Sequence, residues 1–151
     1  MGLLDILEEV SIFADLTMEE LSLLAPLCRV IEGKAGDVLV REGELVQHMY
    51  LLLSGEGTVT KTRADGKLVK LNRVGKDDLV GEITFFKNTP ASASVVANGP
   101  YQALEIEQKE FHRLLGAYPK LGVKMYKKFA RILSGRVKTC LAQLVEHLPA
   151  E

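Results

Sequence analysis

With 151 residues, 47% of them hydrophobic and 26% charged, the chain has the size and balance of one water-soluble globular domain with a sizeable core. No apolar run approaches the roughly 20 residues needed to cross a bilayer as a helix. A net charge of −1 excludes a polyanion-binding balance for the molecule as a whole.

The charge is unevenly spread. Residues 1–60 hold eleven acids and three bases, while residues 119–148 hold seven bases and the single acid Glu146. A basic C-terminal helix reads first as a solvated face that complements the acidic half. Contact with nucleic acid or an acidic partner is the other reading. Asp5, Glu8 and Glu9 stand where a secretory signal would be basic and then apolar, and Ile6 where a myristoylation motif wants Ser or Thr. A cytoplasmic location without lipidation is expected. Cys28 and Cys140 lie far apart in apolar patterns, with no metal-ligand spacing around them, and are expected to be buried reduced thiols.

The N-terminal part is predicted helical, because Leu3, Leu4, Leu7 and Val10 recur at helical spacing. Thr17-Met18-Glu19-Glu20 forms a capping box that opens a second helix lined by Leu21, Leu24 and Leu27, with Pro26 weakening its last turn. From Arg29 to about Glu107 the period changes. Nine of the thirteen glycines fall here, between short β-prone runs, and this pattern predicts an all-β sandwich, barrel or roll. Ala64-Asp65-Gly66-Lys67 reads as a hairpin turn, Tyr50–Leu53 as a strand buried on both sides, and Ser54-Gly55-Glu56-Gly57 as a glycine-rich hairpin.

After Glu107 helical spacing returns. Phe111, Leu114 and Leu115 make a short amphipathic helix ending near Gly116. Pro119 then suits the first turn of a long one reaching His147. Along that last helix Leu133, Val137, Cys140 and Leu144 form one apolar row, and Leu141, Val145 and Leu148 a second beside it. Two adjacent rows allow packing on the roll with one and on a twin helix with the other, or both on the chain's own core. Gly135 in mid-helix costs roughly 1 kcal/mol against Ala and marks either a close crossing or a break.

The stretch with most chemical content runs from Val80 to Val96: Gly81-Glu82, a short apolar turn, Asn88-Thr89-Pro90, then Ala91-Ser92-Ala93-Ser94 leading into a strand. This resembles the phosphate-binding cassette of cyclic nucleotide-binding domains. Gly36–Glu44 resembles the family's first roll turn, and Met49–Val59 its aromatic-aliphatic strand and hairpin. Glu105–Phe111 and Pro119–Arg136, with Leu133-Ser134-Gly135-Arg136, resemble its paired helices. The ordered set covers about Phe13 to Arg136.

The resemblance implies one mainly β domain over 1–151. It would be a double-stranded β-roll at about 29–107, between N-terminal helices at about 3–28 and C-terminal helices at about 108–148, the last of them long. It also implies a ligand site of Gly81, Glu82, Ile83, Ala91, Ser92 and Ser94. There Glu82 would take a ribose hydroxyl, and backbone N–H groups with Ser92 and Ser94 would face a phosphate. The family's arginine, directly after the proline, is Ala91 here. Loss of a buried charge partner costs on the order of 2–5 kcal/mol, so cyclic AMP or cyclic GMP is expected only as a weak ligand, and no cofactor is expected. Lys87 is the cation nearest in sequence and reads as a solvated turn residue. Without an arginine opposite it, Glu82 is expected to repel an anion.

Enzymatic chemistry finds no support. His48, His112 and His147 are scattered, and no nucleophile elbow, Walker loop, CxxC pair or HExxH occurs. About fifteen residues follow Arg136 and read as more helix, so no DNA-binding domain is expected in this chain. Two functional readings remain. One is a stand-alone regulatory module for a cyclic nucleotide or related anion. The other is a ligand-free scaffold acting through a protein partner. A homodimer seam of Leu133, Val137, Cys140, Leu141, Leu144, Val145 and Leu148 is expected in either.

Overall fold

The computed structural model describes residues 2–82 and 87–150. Helix α1 (Leu3–Glu9) and a 3₁₀ turn (Ser11–Phe13) lead to α2 (Met18–Leu24). The capping box forms as read: the Glu20 amide donates to Thr17 Oγ1 at 3.2 Å and the Thr17 amide to Glu20 Oε1 at 2.9 Å. Pro26 sits in a 3₁₀ turn, Ala25–Leu27, that ends the helical start.

Eight strands follow among the described residues: β1 (Cys28–Gly33), β2 (Val38–Val40), β3 (His48–Ser54), β4 (Gly57–Thr62), β5 (Leu68–Val74), β6 (Leu79–Val80), β7 (Ser94–Ala97) and β8 (Tyr101–Glu107). They form two four-stranded sheets of antiparallel pairs, β1-β8-β3-β6 and β2-β7-β4-β5. The expected mainly β roll between helical ends is therefore the fold. The Asp65-Gly66 turn closes the β4–β5 hairpin, with Gly66 at φ +85° and the Arg63 amide donating to the Lys67 carbonyl at 2.8 Å.

The glycine-rich segment after β3 corrects the reading. It is not a hairpin, because β3 pairs with β8 and β6 while β4 pairs with β5 and β7. Gly55 carries the chain from one sheet to the other at φ +86°, where a Cβ would lie 2.6 Å from the Pro100 carbonyl oxygen.

The sheet β1-β8-β3-β6 is apolar on both faces, which accounts for the continuous run at Tyr50–Leu53. Met49, Leu51, Leu104 and Ile106 join Leu7, Phe13, Leu24, Phe111, Met125 and Phe129 in the cluster that holds the helices. The alternate positions Leu52, Tyr101 and Ala103 face the roll interior with Ala97.

Helix α3 (Gln108–Ala117) starts under the Glu107 carboxylate, which accepts from the amides of Lys109 and Glu110. Helix α4 (Pro119–His147) then crosses it closely at Gly122, where a Cβ would meet the Leu115 carbonyl oxygen at 2.9 Å. Phe111 and Phe129 meet edge-on, with centroids 6.1 Å apart. Gly135, expected as the crossing or a break, is neither: the helix runs through it and open space surrounds it. Cys28 is buried, but Cys140 is exposed, which overturns the expectation of two buried thiols. Its row faces away from the roll because α4's core-facing side is Leu121, Met125 and Phe129.

Candidate functional site

The site begins where β6 ends. Gly81 adopts φ +84°, a left-handed conformation that glycine takes without steric cost, and a Cβ there would press on the His48 carbonyl oxygen at 3.0 Å. Gln108, at the start of α3, fixes this turn from behind. Its Nε2 donates to the Gly81 carbonyl at 2.8 Å, and its amide donates to the Gln47 carbonyl at 3.0 Å.

Glu82 follows with only 5% exposure. Its Oε1 accepts from Nη1 of Arg136 on α4, while Nη2 of the same guanidinium donates to the Leu79 carbonyl. A buried carboxylate requires such a partner. The expectation that Glu82 stands unopposed and repels anions is therefore wrong. The helix supplies the cation opposite Glu82.

Ala91 lies against Val80. The two pack together with Val40 and Val95, and Ala91 is 8% exposed. Its amide donates to the Glu44 carbonyl and its carbonyl accepts from the Gly43 amide, both at 2.9 Å. These bonds seat the segment after the proline on the β2–β3 loop. An arginine here would lay its stem along the valines and carry its head outward.

Ser94 Oγ accepts from the Glu42 amide at 2.8 Å, which engages that hydroxyl with the β2–β3 loop. Ser92 is exposed, and its carbonyl accepts from Lys61 Nζ at 2.5 Å. Lys61 also lies 3.7 Å from Glu42 Oε2, and Glu42 Oε1 accepts from the Thr62 amide at 3.0 Å. Lys87 is exposed, as read. Ile83 lies outside the described residues.

The structure thus brings Gly81, Glu82 and Ala91 around Val80 and adds four residues that sequence reasoning did not assign: Arg136, Gln108, Lys61 and Glu42. Arg136 stood inside a motif piece, but its partner 54 residues away left no local trace. Among the described residues no group of three or more His, Cys, Asp or Glu side chains is placed to hold a metal ion. Nor, among the described residues, is any helix long and apolar enough to cross a membrane.

A left-handed glycine and a buried glutamate at the end of β6, tied by Arg136 to the long last helix, define the class of two-sheet β-rolls with a helix closing over one end. Comparison with known proteins agrees: the model of the cyclic nucleotide-binding domain matches residues 30–118, and the chain belongs to that family. It is 27% identical over 110 residues, 73% of its length, to a cAMP-dependent protein kinase regulatory subunit from Blastocladiella emersonii. The chain spans only 27% of that curated relative. A cyclic nucleotide-binding domain from Methylobacillus flagellatus superposes with a TM-score of 0.84 at 25% identity, covering 99% of this chain and 84% of that one. The regulatory domain of Toxoplasma gondii PKA with cAMP superposes at 0.69 and 25% identity, over 83% of this chain and 49% of that one.

Proposed function

We propose that this chain is a non-catalytic regulatory module of the cyclic nucleotide class, weakened toward the phosphate, that acts as a homodimer through α4. The observation that carries the weakening is Ala91, a buried methyl group packed on Val40, Val80 and Val95 where the family resemblance calls for a guanidinium. Glu82 remains for a sugar hydroxyl and Gly81 keeps its special backbone, so the shape supports a ligand that the charge supports poorly. The relatives whose names carry cAMP favour cyclic AMP as the first ligand to try.

The dimer rests on the spacing along α4. Val123, Tyr126, Ala130, Leu133, Val137, Cys140 and Leu144 alternate steps of three and four, the heptad pattern that supercoils two helices. Val123, Val137 and Leu144 are exposed by 54%, 57% and 52%. Leu141, Val145 and Leu148 widen the strip, and a second copy of this same helix is the occupant whose repeat matches it. A further protein partner in the cytoplasm would read the dimer.

Calorimetric titration with cyclic AMP and cyclic GMP tests the ligand reading, using wild type and Ala91→Arg. Wild type is expected to bind weakly and the variant more tightly by about 2–5 kcal/mol, roughly thirty-fold to a few thousand-fold. Absence of binding by both proteins, with the variant folded, would favour the ligand-free scaffold instead. Support for that second reading comes from the Arg136 guanidinium already seated on Glu82.

A further inference from the structure

Lys61 holds a place that the family resemblance does not assign to any cation. In β4 the side chains alternate between faces, and Val59 packs inward with the cluster of Val40, Val80, Ala91 and Val95. Lys61, two residues on, is exposed at the strand's open end, just past the buried Thr60. The ladder between β4 and β7 pairs Val59 with Val95 and Thr60 with Ser94, so the register carries Lys61 alongside the stretch just before Ser94. The ammonium confirms the placement. Nζ lies 2.5 Å from the carbonyl oxygen of Ser92, the residue directly after Ala91.

Resting on the reading of this pocket as a cyclic nucleotide site, we propose that Lys61 is its phosphate-facing cation, standing in for the guanidinium absent at position 91. Three features fit. The ammonium reaches the cassette from the neighbouring strand, so the charge is moved rather than lost. The Lys61 side chain is 49% exposed, and its four-carbon stem can turn from the Ser92 carbonyl to an incoming anion. Its second partner does not depend on it. The Thr62 amide holds the Glu42 carboxyl below the usual range against the burial that raises it, and Lys61 adds less. Glu42 therefore stays satisfied when the lysine swings away. A lysine acts as a point charge rather than a two-pronged donor, which predicts weak binding that is sensitive to salt.

The test is calorimetry with cyclic AMP and cyclic GMP on five proteins: wild type, Lys61→Met, Lys61→Arg, Ala91→Arg, and Ala91→Arg combined with Lys61→Met. Circular dichroism and thermal unfolding accompany each. Wild type is expected to bind in the submillimolar range, and Lys61→Met to lose about ten-fold or more, the size of one charge-assisted contact. Lys61→Arg is expected to stay near wild type, which a purely structural strap between Ser92 and Glu42 would not require. With Ala91→Arg present, Lys61→Met is expected to matter much less. Equal binding by wild type and Lys61→Met overturns the proposal while leaving the pocket's function intact. So does a wild type that fails to bind while Ala91→Arg binds. Failure of both wild type and Ala91→Arg overturns the functional reading and this proposal with it.

Discussion

The guanidinium of Arg136 closes on the carboxylate of Glu82 across 54 residues of sequence, which joins the long last helix to the mouth of the roll. The Glu82 side chain is 7% exposed and the Arg136 side chain 36%, so the pair is asymmetric. Removing the arginine strands a buried charge, whereas removing the carboxylate leaves a cation that can still reach solvent and the Leu79 carbonyl.

Arg136→Met is accordingly expected to destabilise the domain strongly. Breaking a buried pair costs about 3–5 kcal/mol, and the partly exposed arginine places this case toward the lower figure. For a domain of this length that corresponds to a loss of very roughly 6–12 °C in Tm. Glu82→Gln should cost less, and the double variant should recover part of the loss of Arg136→Met. Differential scanning calorimetry of the four proteins measures the coupling. A strictly additive cycle would show that the pair does not anchor α4.

The parts of this architecture that could be read from the sequence are local. Thr17 and Glu20 are three residues apart, so their box needs only one helical turn. Asp65-Gly66 makes its own turn, and Gly81-Glu82 opens the stretch that carries the family resemblance. What escaped is tertiary. Arg136 and Glu82 are brought together only by the path of α4, and Lys61 reaches Ser92 only through the ladder of β4 on β7. Gly55 looked like a hairpin because a tight glycine turn has the same composition whether its strands pair or separate into two sheets. Cys140 looked buried because the outer and inner rows of an apolar helix have the same spacing. A lysine two residues beyond Val59, at the end of a strand that starts from Gly57, was the available signal for the new cation.

Acid should loosen the attachment of α4 to α2 before it unfolds the roll. Glu20 accepts from Lys124 Nζ at 2.6 Å and from the Thr17 amide. Burial raises this carboxyl, but Lys124 and Thr17 together outweigh it and hold it below its ordinary value. A depressed folded value means that the contribution is complete above about pH 5 and is lost as pH falls through the folded value. Glu20→Gln keeps the capping box and loses only the charge pair with Lys124, so it is expected to cost about 0.5–1 kcal/mol at pH 7 and progressively less below about pH 4.5. Urea unfolding of both proteins across that range measures it; a pH-independent difference would exclude the linkage.

The two thiols should differ sharply in reactivity. Burial pushes the Cys28 thiol up to about 12, so almost no thiolate exists at neutral pH. Cys140 is exposed on α4. An Ellman titration of native protein is expected to release one equivalent quickly and the second only on unfolding, with Cys140→Ser abolishing the fast phase. Two equivalents reacting at one rate in native protein would contradict the burial of Cys28.

The same exposed thiol reports the geometry of the proposed dimer. In the heptad running from Val123 to Leu144, Cys140 falls at a seam position between Val137 and Leu144. A parallel in-register pair places each Cys140 opposite its own copy, within reach of the narrow Cα separation a disulfide tolerates. An antiparallel pair does not, because position 140 lies near one end of the repeat. A mild thiol oxidant such as diamide is therefore expected to yield one disulfide-linked dimer, lost in Cys140→Ser. Leu144→Glu should suppress it too, since two carboxylates one turn from Cys140 would have to be buried face to face in the seam. The same variant should raise the monomer fraction in sedimentation velocity by at least an order of magnitude in dissociation constant, about 1.4 kcal/mol. The rate of the fast Ellman phase should also fall as wild-type protein is concentrated, because association covers the thiol. A wild type that remains monomeric at high micromolar concentration would refute the seam. A dimer that never crosslinks at Cys140 would keep the interface but reverse the direction of its helices.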